Sequence, residues 1–293
     1  CDDIPQFTPN KRWLLAPQSI QDKLAAFETQ CVRQQELFDV QLHRIGDFCD
    51  IGNGMVSGLD AAFKVTEEEV ETFNDAERQC LIHVLKAKNL EKYYHSSAEQ
   101  YIYMPPNISK SDFAATYPHF ESHFEKYVKD LKKRYSYGKD LAYWEFAFPR
   151  SKSLFEKSLP KIFIPCKERI SHKSYFRFCY SPTGYYPLQD VTGIVLKQNC
   201  RESLEYILAY LNNERVFTWL VFNGIVKGDI VEFSEAPIAS IPYRAINWND
   251  RDEVQLHERI TDETRSLLQD KDEKHQDTIN NLFNTLFHDN SRL

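Results

Sequence analysis

Apolar residues recur at helical spacing at Ile20, Leu24, Phe27 and Cys31, and Pro17 and Ser19 offer a start, so residues 17–44 are expected to form one long helix. The texture changes at Ile45. Gly46, Gly52, Asn53, Gly54 and Gly58 then place five turn-competent residues within thirteen positions. Thr66 followed by Glu67, Glu68 and Glu69 is a capping-box signature with acids in the first helical turn. A second, more apolar helix is expected around Cys80 to Leu90. From Gln100 the pattern shortens, with Tyr101-Ile102-Tyr103 ending at Pro105-Pro106. A helix with a basic face is expected from Tyr117 to Arg134.

Segments 142–148, 161–165, 175–180 and 191–196 are rich in aromatic and β-branched residues between turn formers, the pattern of a β-region. Leu204 to Val221 reads as helix, with Leu204, Ile207, Leu208, Leu211 and Trp219 available for burial. The acidic, amphipathic tail from Asp252 to Phe287 predicts two more helices. There is no internal repeat and no low-complexity tract. The class is α+β: a mixed β-sheet domain over 45–250, preceded by a helical connector over 1–44 and followed by C-terminal helices over 251–293.

With 293 residues, 42% of them hydrophobic, the chain can bury a large core. No apolar run approaches the roughly 20 residues needed to span a bilayer, and no signal peptide is visible, so a soluble, cytoplasmic protein with no membrane partner is expected. The chain opens on Cys1-Asp2-Asp3 without Met and is read as a piece of a longer protein. Its cysteines, at positions 1, 31, 49, 80, 166, 179 and 200, include no close pair of the kind zinc sites use, so free thiols and no metal are expected.

Net charge of −7 argues against a nucleic-acid partner until its distribution is considered. Residues 126–177 hold 14 Lys and Arg against 5 Asp and Glu, a local +9 that leaves −16 for the rest. Aromatics interleave with these cations, among them Tyr135, Tyr137, Phe148 and Tyr175. Such a surface can grip phosphate while packing on sugars or bases. It can equally be a solvated face above an aromatic core.

Catalytic motifs are missing. Methyl transfer to a DNA amino group needs an Asn/Asp/Ser-Pro-Pro-aromatic loop around the flipped base, and Met104-Pro105-Pro106-Asn107 lacks both the polar lead and the aromatic. There is no Gly-rich cofactor loop between a strand and a helix. Asp130-Leu131-Lys132 and Asp272-Glu273-Lys274 only echo a nuclease pattern and read as solvated helix faces. His119 and His123 share a helical face without a third ligand and without the His-Glu-x-x-His order. No catalytic residue is assigned.

The most specific segment is Gly54-Met55-Val56-Ser57-Gly58-Leu59-Asp60-Ala61-Ala62-Phe63. Together with motifs further along the chain, it resembles the C-terminal specificity domain of TaqI-type adenine-specific DNA methyltransferases and methyltransferase–endonuclease fusions. In that family a Gly-x-x-Thr/Ser-Gly-x-Asn/Asp-x-Ala-Phe segment opens the domain, with Thr commoner where Ser57 stands. Leu85 to Leu90, Tyr93 and Tyr101-Ile102-Tyr103 are similar to the next motifs in order. Trp144 to Arg150, Pro160 to Pro165 and Leu204 to Asn213 continue the series, and Pro237 to Pro242 resembles a closing strand. The similarity runs from about residue 45 to 245.

The resemblance implies a DNA target recognition domain that positions duplex DNA for an upstream methyltransferase domain, in the same or another chain. It implies S-adenosylmethionine for that parent and no cofactor for this fragment. An alternative is a DNA-binding and docking module like the specificity subunits of multi-subunit restriction enzymes. Expected DNA contacts are Asn53, Ser57, Lys88, Arg150, Lys161, Lys167, Arg169, Lys173 and Arg177. Gly52, Gly54 and Gly58 are expected to let the backbone approach DNA closely.

Overall fold

The computed structural model describes residues 16–35, 44–138 and 140–287. Of the expected connector it shows the helix Gln18–Gln35; residues 36–43 and Cys1 lie outside the described residues. The helix buries Leu24, Phe27 and Cys31, the face its spacing predicts.

The strands are β1 (Cys49–Asn53), β2 (Lys64–Val65), β3 (Leu81–Leu85), β4 (Glu99–Ile102), β5 (Lys161–Pro165), β6 (Lys167–Arg169), β7 (Cys179–Ser181), β8 (Tyr185–Pro187), β9 (Val191–Leu196), β10 (Ile225–Lys227) and β11 (Ile230–Glu232). They form three sheets, ordered β1-β9-β5-β7, β2-β4-β3-β8 and β10-β11-β6. Every pairing is antiparallel except β3 with β8.

The first sheet is covered on both faces, and the period-2 alternation of its side chains sorts them between two cores. Ile162, Ile164 and Ile194 join the core formed with the helices Leu204–Leu211, Glu214–Asn223, Arg251–Asp270 and Glu273–Leu286. Phe163 and Val191 face the other way, toward Leu85 and Leu90. The helix Leu204–Leu211 is buried at seven positions with only Glu205 partly open, as a helix at the centre of a core must be. The second sheet packs with the helices Lys110–Thr116 and Pro118–Glu125 around Phe63, Phe113, Phe120, Phe124, Trp144 and Phe146.

Several expectations are corrected. Residues 80–90 are not a helix: Leu81–Leu85 pairs on one side with β4 and on the other with β8. The apolar pattern there serves a strand with neighbours on both edges, and the helix just before it is the short Asp75–Gln79, capped by Asn74 and Glu77. The expected helix 117–134 is two pieces, Pro118–Glu125 and Val128–Leu131. Segment 142–148 is irregular, and its β-type pairing among the described residues is a bridge between Phe148 and Val56. The helix over 204–221 breaks at Asn212-Asn213, where the Asn213 side chain caps the next helix. Pro237 to Pro242 is not a strand: Glu235–Ala239 is a helical turn.

Candidate nucleic-acid interface

The glycine-rich segment after β1 is the crossing between the two cores. Gly54 N donates to the Val191 carbonyl, Met55 N to Pro187, and Val56 and Phe148 exchange backbone bonds, all at 2.9–3.0 Å. A Cβ on Gly54 would run into the Leu188 carbonyl, and one on Gly52 would meet the Ser151 side chain. Both positions expected to receive DNA are therefore filled by this protein's own atoms. Gly58 is exposed and has φ +88°, so glycine is required there by conformation.

Ser57 is also spent internally. It is 1% exposed, and its hydroxyl donates to Asp60 Oδ1 at 2.5 Å, while Asp60 Oδ2 takes Lys86 Nζ at 2.5 Å. Burial works against the charge of Lys86, but the hydrogen bond and the charge of Asp60 outweigh it and hold the ammonium above its usual range. Lys161 is fully buried and donates to the carbonyls of Lys157 and Leu159 at 2.9 and 2.8 Å; burial alone pushes its pKa down. Neither Ser57 nor Lys161 presents its side chain to a duplex.

The remaining predicted residues divide by partner. Glu168, buried on the inner face of β6, collects Lys173 Nζ and Arg177 Nε, each at 2.6 Å. Arg177 also donates to the carbonyls of Ala87 and Leu90 at 3.1 and 2.9 Å, fastening β6 to the turn after β3. Arg177 is thus a structural clamp. Lys88 is exposed but paired with Glu99 at 2.5 Å; burial raises the Glu99 pKa, and bonds from Lys88 and Lys64 more than reverse that. Asn53 Oδ1 accepts from Thr192 at 3.3 Å.

Lys167 and Arg169 flank Glu168 and, by strand alternation, lie on the opposite, outer face of the small sheet. Register places Arg169 opposite Ile230, Ile230 opposite Lys227 and Lys167 opposite Glu232, so that face carries three cations and one carboxylate, with Lys227 paired to Glu232 at 3.5 Å. Arg169 is 74% exposed, and its ion pair among the described residues is with Asp229, at 3.4 Å, a surface pair of small energetic weight. Lys167 is exposed with no ion pair among the described residues.

Sequence reasoning did not single out the stacking of Arg150 on the aromatic stretch. Arg150 lies over the Phe148 ring at 5.4 Å, Phe148 packs on Tyr137 at 5.0 Å, and Tyr137 on Tyr135 at 4.6 Å. Arg150 has no carboxylate partner among the described residues. It also lies within electrostatic range of Cys166, the residue before Lys167, whose pKa is raised by burial and lowered in part by this arginine. From the other direction, the Cys166 thiol donates to the Gln189 carbonyl at 3.3 Å. Arg150 and the open tyrosine rings therefore form one chain of contacts. Arg134, from the same basic stretch, is a brace: its guanidinium donates to the carbonyls of Ser57, Ala142 and Glu145.

His119 and His123 are engaged by carboxylates, His119 with Glu77 at 2.8 Å and His123 with Glu69 at 2.9 Å. Among the described residues no three His, Cys, Asp or Glu side chains group as metal ligands, and no helix is long and apolar enough to cross a membrane.

No protein-family model matches the chain. Its curated relatives are Type II methyltransferases. It is 44% identical over 278 residues to the Type II methyltransferase M.HindII of Haemophilus influenzae, covering 92% of this chain and 52% of that protein. It is 40% identical over 277 residues to M.HincII of the same species, covering 92% and 51%. The chain thus spans about half the length of the curated relatives it matches. Among solved structures, the Type IIL restriction-modification enzyme MmeI in complex with DNA superposes with a TM-score of 0.55 at 12% identity, over 84% of this chain and 33% of that one. This likeness is one of fold.

Proposed function

We propose that this chain is the DNA target recognition part of an adenine-specific methyltransferase of a restriction-modification system, and that it grips duplex DNA for an upstream catalytic domain. The supporting observation is the pair of exposed cations Lys167 and Arg169 on β6, neither held by a strong carboxylate partner, together with the half-buried Arg150 stacked beside rings the fold leaves open. Phosphate contacts from these residues would set the register of the duplex, and polar side chains nearby would read base edges. Lys173 and Lys88 reinforce the field from paired positions.

The residues of this chain do not fit a methyl-donor site. Its only Pro-Pro, Pro105-Pro106, lies in an exposed turn after β4, and the glycine segment, which runs from β1 into the four-residue helix Asp60–Phe63, is no open loop, because Gly54 is pinned between Val191 and Leu188. S-adenosylmethionine and the reacting adenine are assigned to the catalytic domain.

A fluorescence titration with random-sequence duplex DNA at low and moderate salt tests the reading. Affinity that falls steeply as salt rises is the expected result, because neutralising phosphates releases counterions. Absence of binding at low salt would replace it with a docking module that meets other subunits.

A further inference from the structure

Gly58, Asp60, Tyr135, Tyr137 and Gln189 line a depression of about 500 Å³. It falls within the size range of small-molecule sites, about 300–1,000 Å³. Two large rings stand open here, Tyr135 at 74% and Tyr137 at 39% exposure, packed edge to face at 4.6 Å. Tyr137 has a left-handed backbone, φ 55°, which a bulky residue seldom adopts and which concentrates at ligand sites.

Its polar wall suits a heterocycle. The Gln189 side-chain amide, exposed and without a partner among the described residues, offers both a donor and an acceptor. Asp60 is immobilised by Ser57 and neutralised by Lys86, so it contributes an acceptor without net repulsion of a nearby phosphate. Arg150, reached from Tyr137 through Phe148, supplies positive charge at the margin.

We infer that this depression is a pocket for a single nucleobase turned out of the duplex stack, stacked on the open Tyr135 ring and read along its edge by Gln189. The inference rests on the DNA-recognition reading. Stacking on an aromatic ring tolerates any base, and the amide supplies whatever selectivity exists.

The test uses the chain with two duplexes of one sequence, one fully paired and one carrying a single bulged 2-aminopurine. Binding is read by anisotropy and by the fluorescence of the 2-aminopurine. The bulged duplex is expected to bind about tenfold more tightly, with a change in 2-aminopurine emission on binding. Tyr135→Ala and Gln189→Ala should bring the ratio of the two affinities close to one, and Tyr135→Trp should keep it. Because Tyr135 and Gln189 are exposed, these variants leave the cores intact. Equal affinity for both duplexes, or a preference that survives both alanine variants, overturns the pocket and leaves DNA recognition standing. Binding to neither duplex removes both.

Discussion

The Leu188 carbonyl oxygen occupies the space that any side chain on Gly54 would need. Gly54→Ala is therefore expected to destabilise the fold by about 2 kcal/mol or more, since the obstacle is backbone fixed between two cores and overpacking costs about 1–3 kcal/mol. Urea denaturation followed by tryptophan fluorescence measures this as a lower midpoint at an unchanged slope. A variant of full stability with weakened DNA binding would instead place Gly54 against a duplex.

Glu168 and its neighbours on β6 separate stability from binding within three residues. Glu168→Gln leaves Lys173 and Arg177 without their buried carboxylate, and because both cations are partly open to water the loss is expected to cost about 1.5–3 kcal/mol. Lys167→Ala and Arg169→Ala remove exposed cations and should leave stability within about 0.5 kcal/mol. Each should weaken binding to every duplex and lower the slope of log affinity against log salt by about one. The measurements are urea melts of all three variants and salt-dependent titrations of the latter two.

Local chemistry made much of the fold legible. The Thr66–Glu69 capping box forms as read, with Thr66 N donating to Glu69 Oε2 and Glu69 N to Thr66 Oγ1, and the two tail helices follow their amphipathic pattern. Leu81–Leu85 was not legible, because the neighbours that make it a strand include β8, some 100 residues away. The site was legible as a stretch and not as residues. Lys161 and Arg177 have the same composition as Lys167 and Arg169, and only tertiary burial turns the first pair into clamps. Ser57 and Gly54 stood out as motif, and the structure spends them on internal fit. Gln189 gave no signal in sequence, since an isolated glutamine beside a turn has no pattern; chain crossing alone brings it near Tyr137.

Acid stability should depend on His257. Its Nε2 accepts from Ser203 N at 3.1 Å, and Ser203 caps the central helix Leu204–Leu211, so the ring must stay neutral. Burial first, then Arg265, hold its pKa below the ordinary 6.5. Below that value the unfolded chain takes up a proton that the folded chain resists, so stability falls with pH until the folded value is passed. His275 has the opposite sign: bonded to Glu263 and Asp270, its pKa is raised, and its contribution is present at low pH and lost as pH rises. The two are separated by comparing the urea midpoint of the native chain with that of His257→Gln between about pH 7.5 and 5.5. The native chain should lose more over that interval than the variant, and parallel losses would remove His257 as the cause.

Arg134 tests whether a cation in the basic stretch acts by charge or by shape. Its planar fork reaches the carbonyls of Ser57 at 3.1 Å and Ala142 at 3.0 Å, and also that of Glu145. These bonds tie the glycine segment to residues 142–147 and fix the chain just before Tyr135. Lysine keeps the charge but cannot hold three separate carbonyls from one ammonium in that geometry. Arg134→Lys is expected to cost about 2 kcal/mol, nearly as much as Arg134→Ala, because carbonyls in a half-buried position lose their donor. The salt dependence of DNA binding should keep its slope in Arg134→Lys, since no phosphate contact is removed. A lysine variant of native stability, paired with an alanine variant whose salt slope falls by about one, would show instead that Arg134 leaves its carbonyls to meet phosphate when DNA binds.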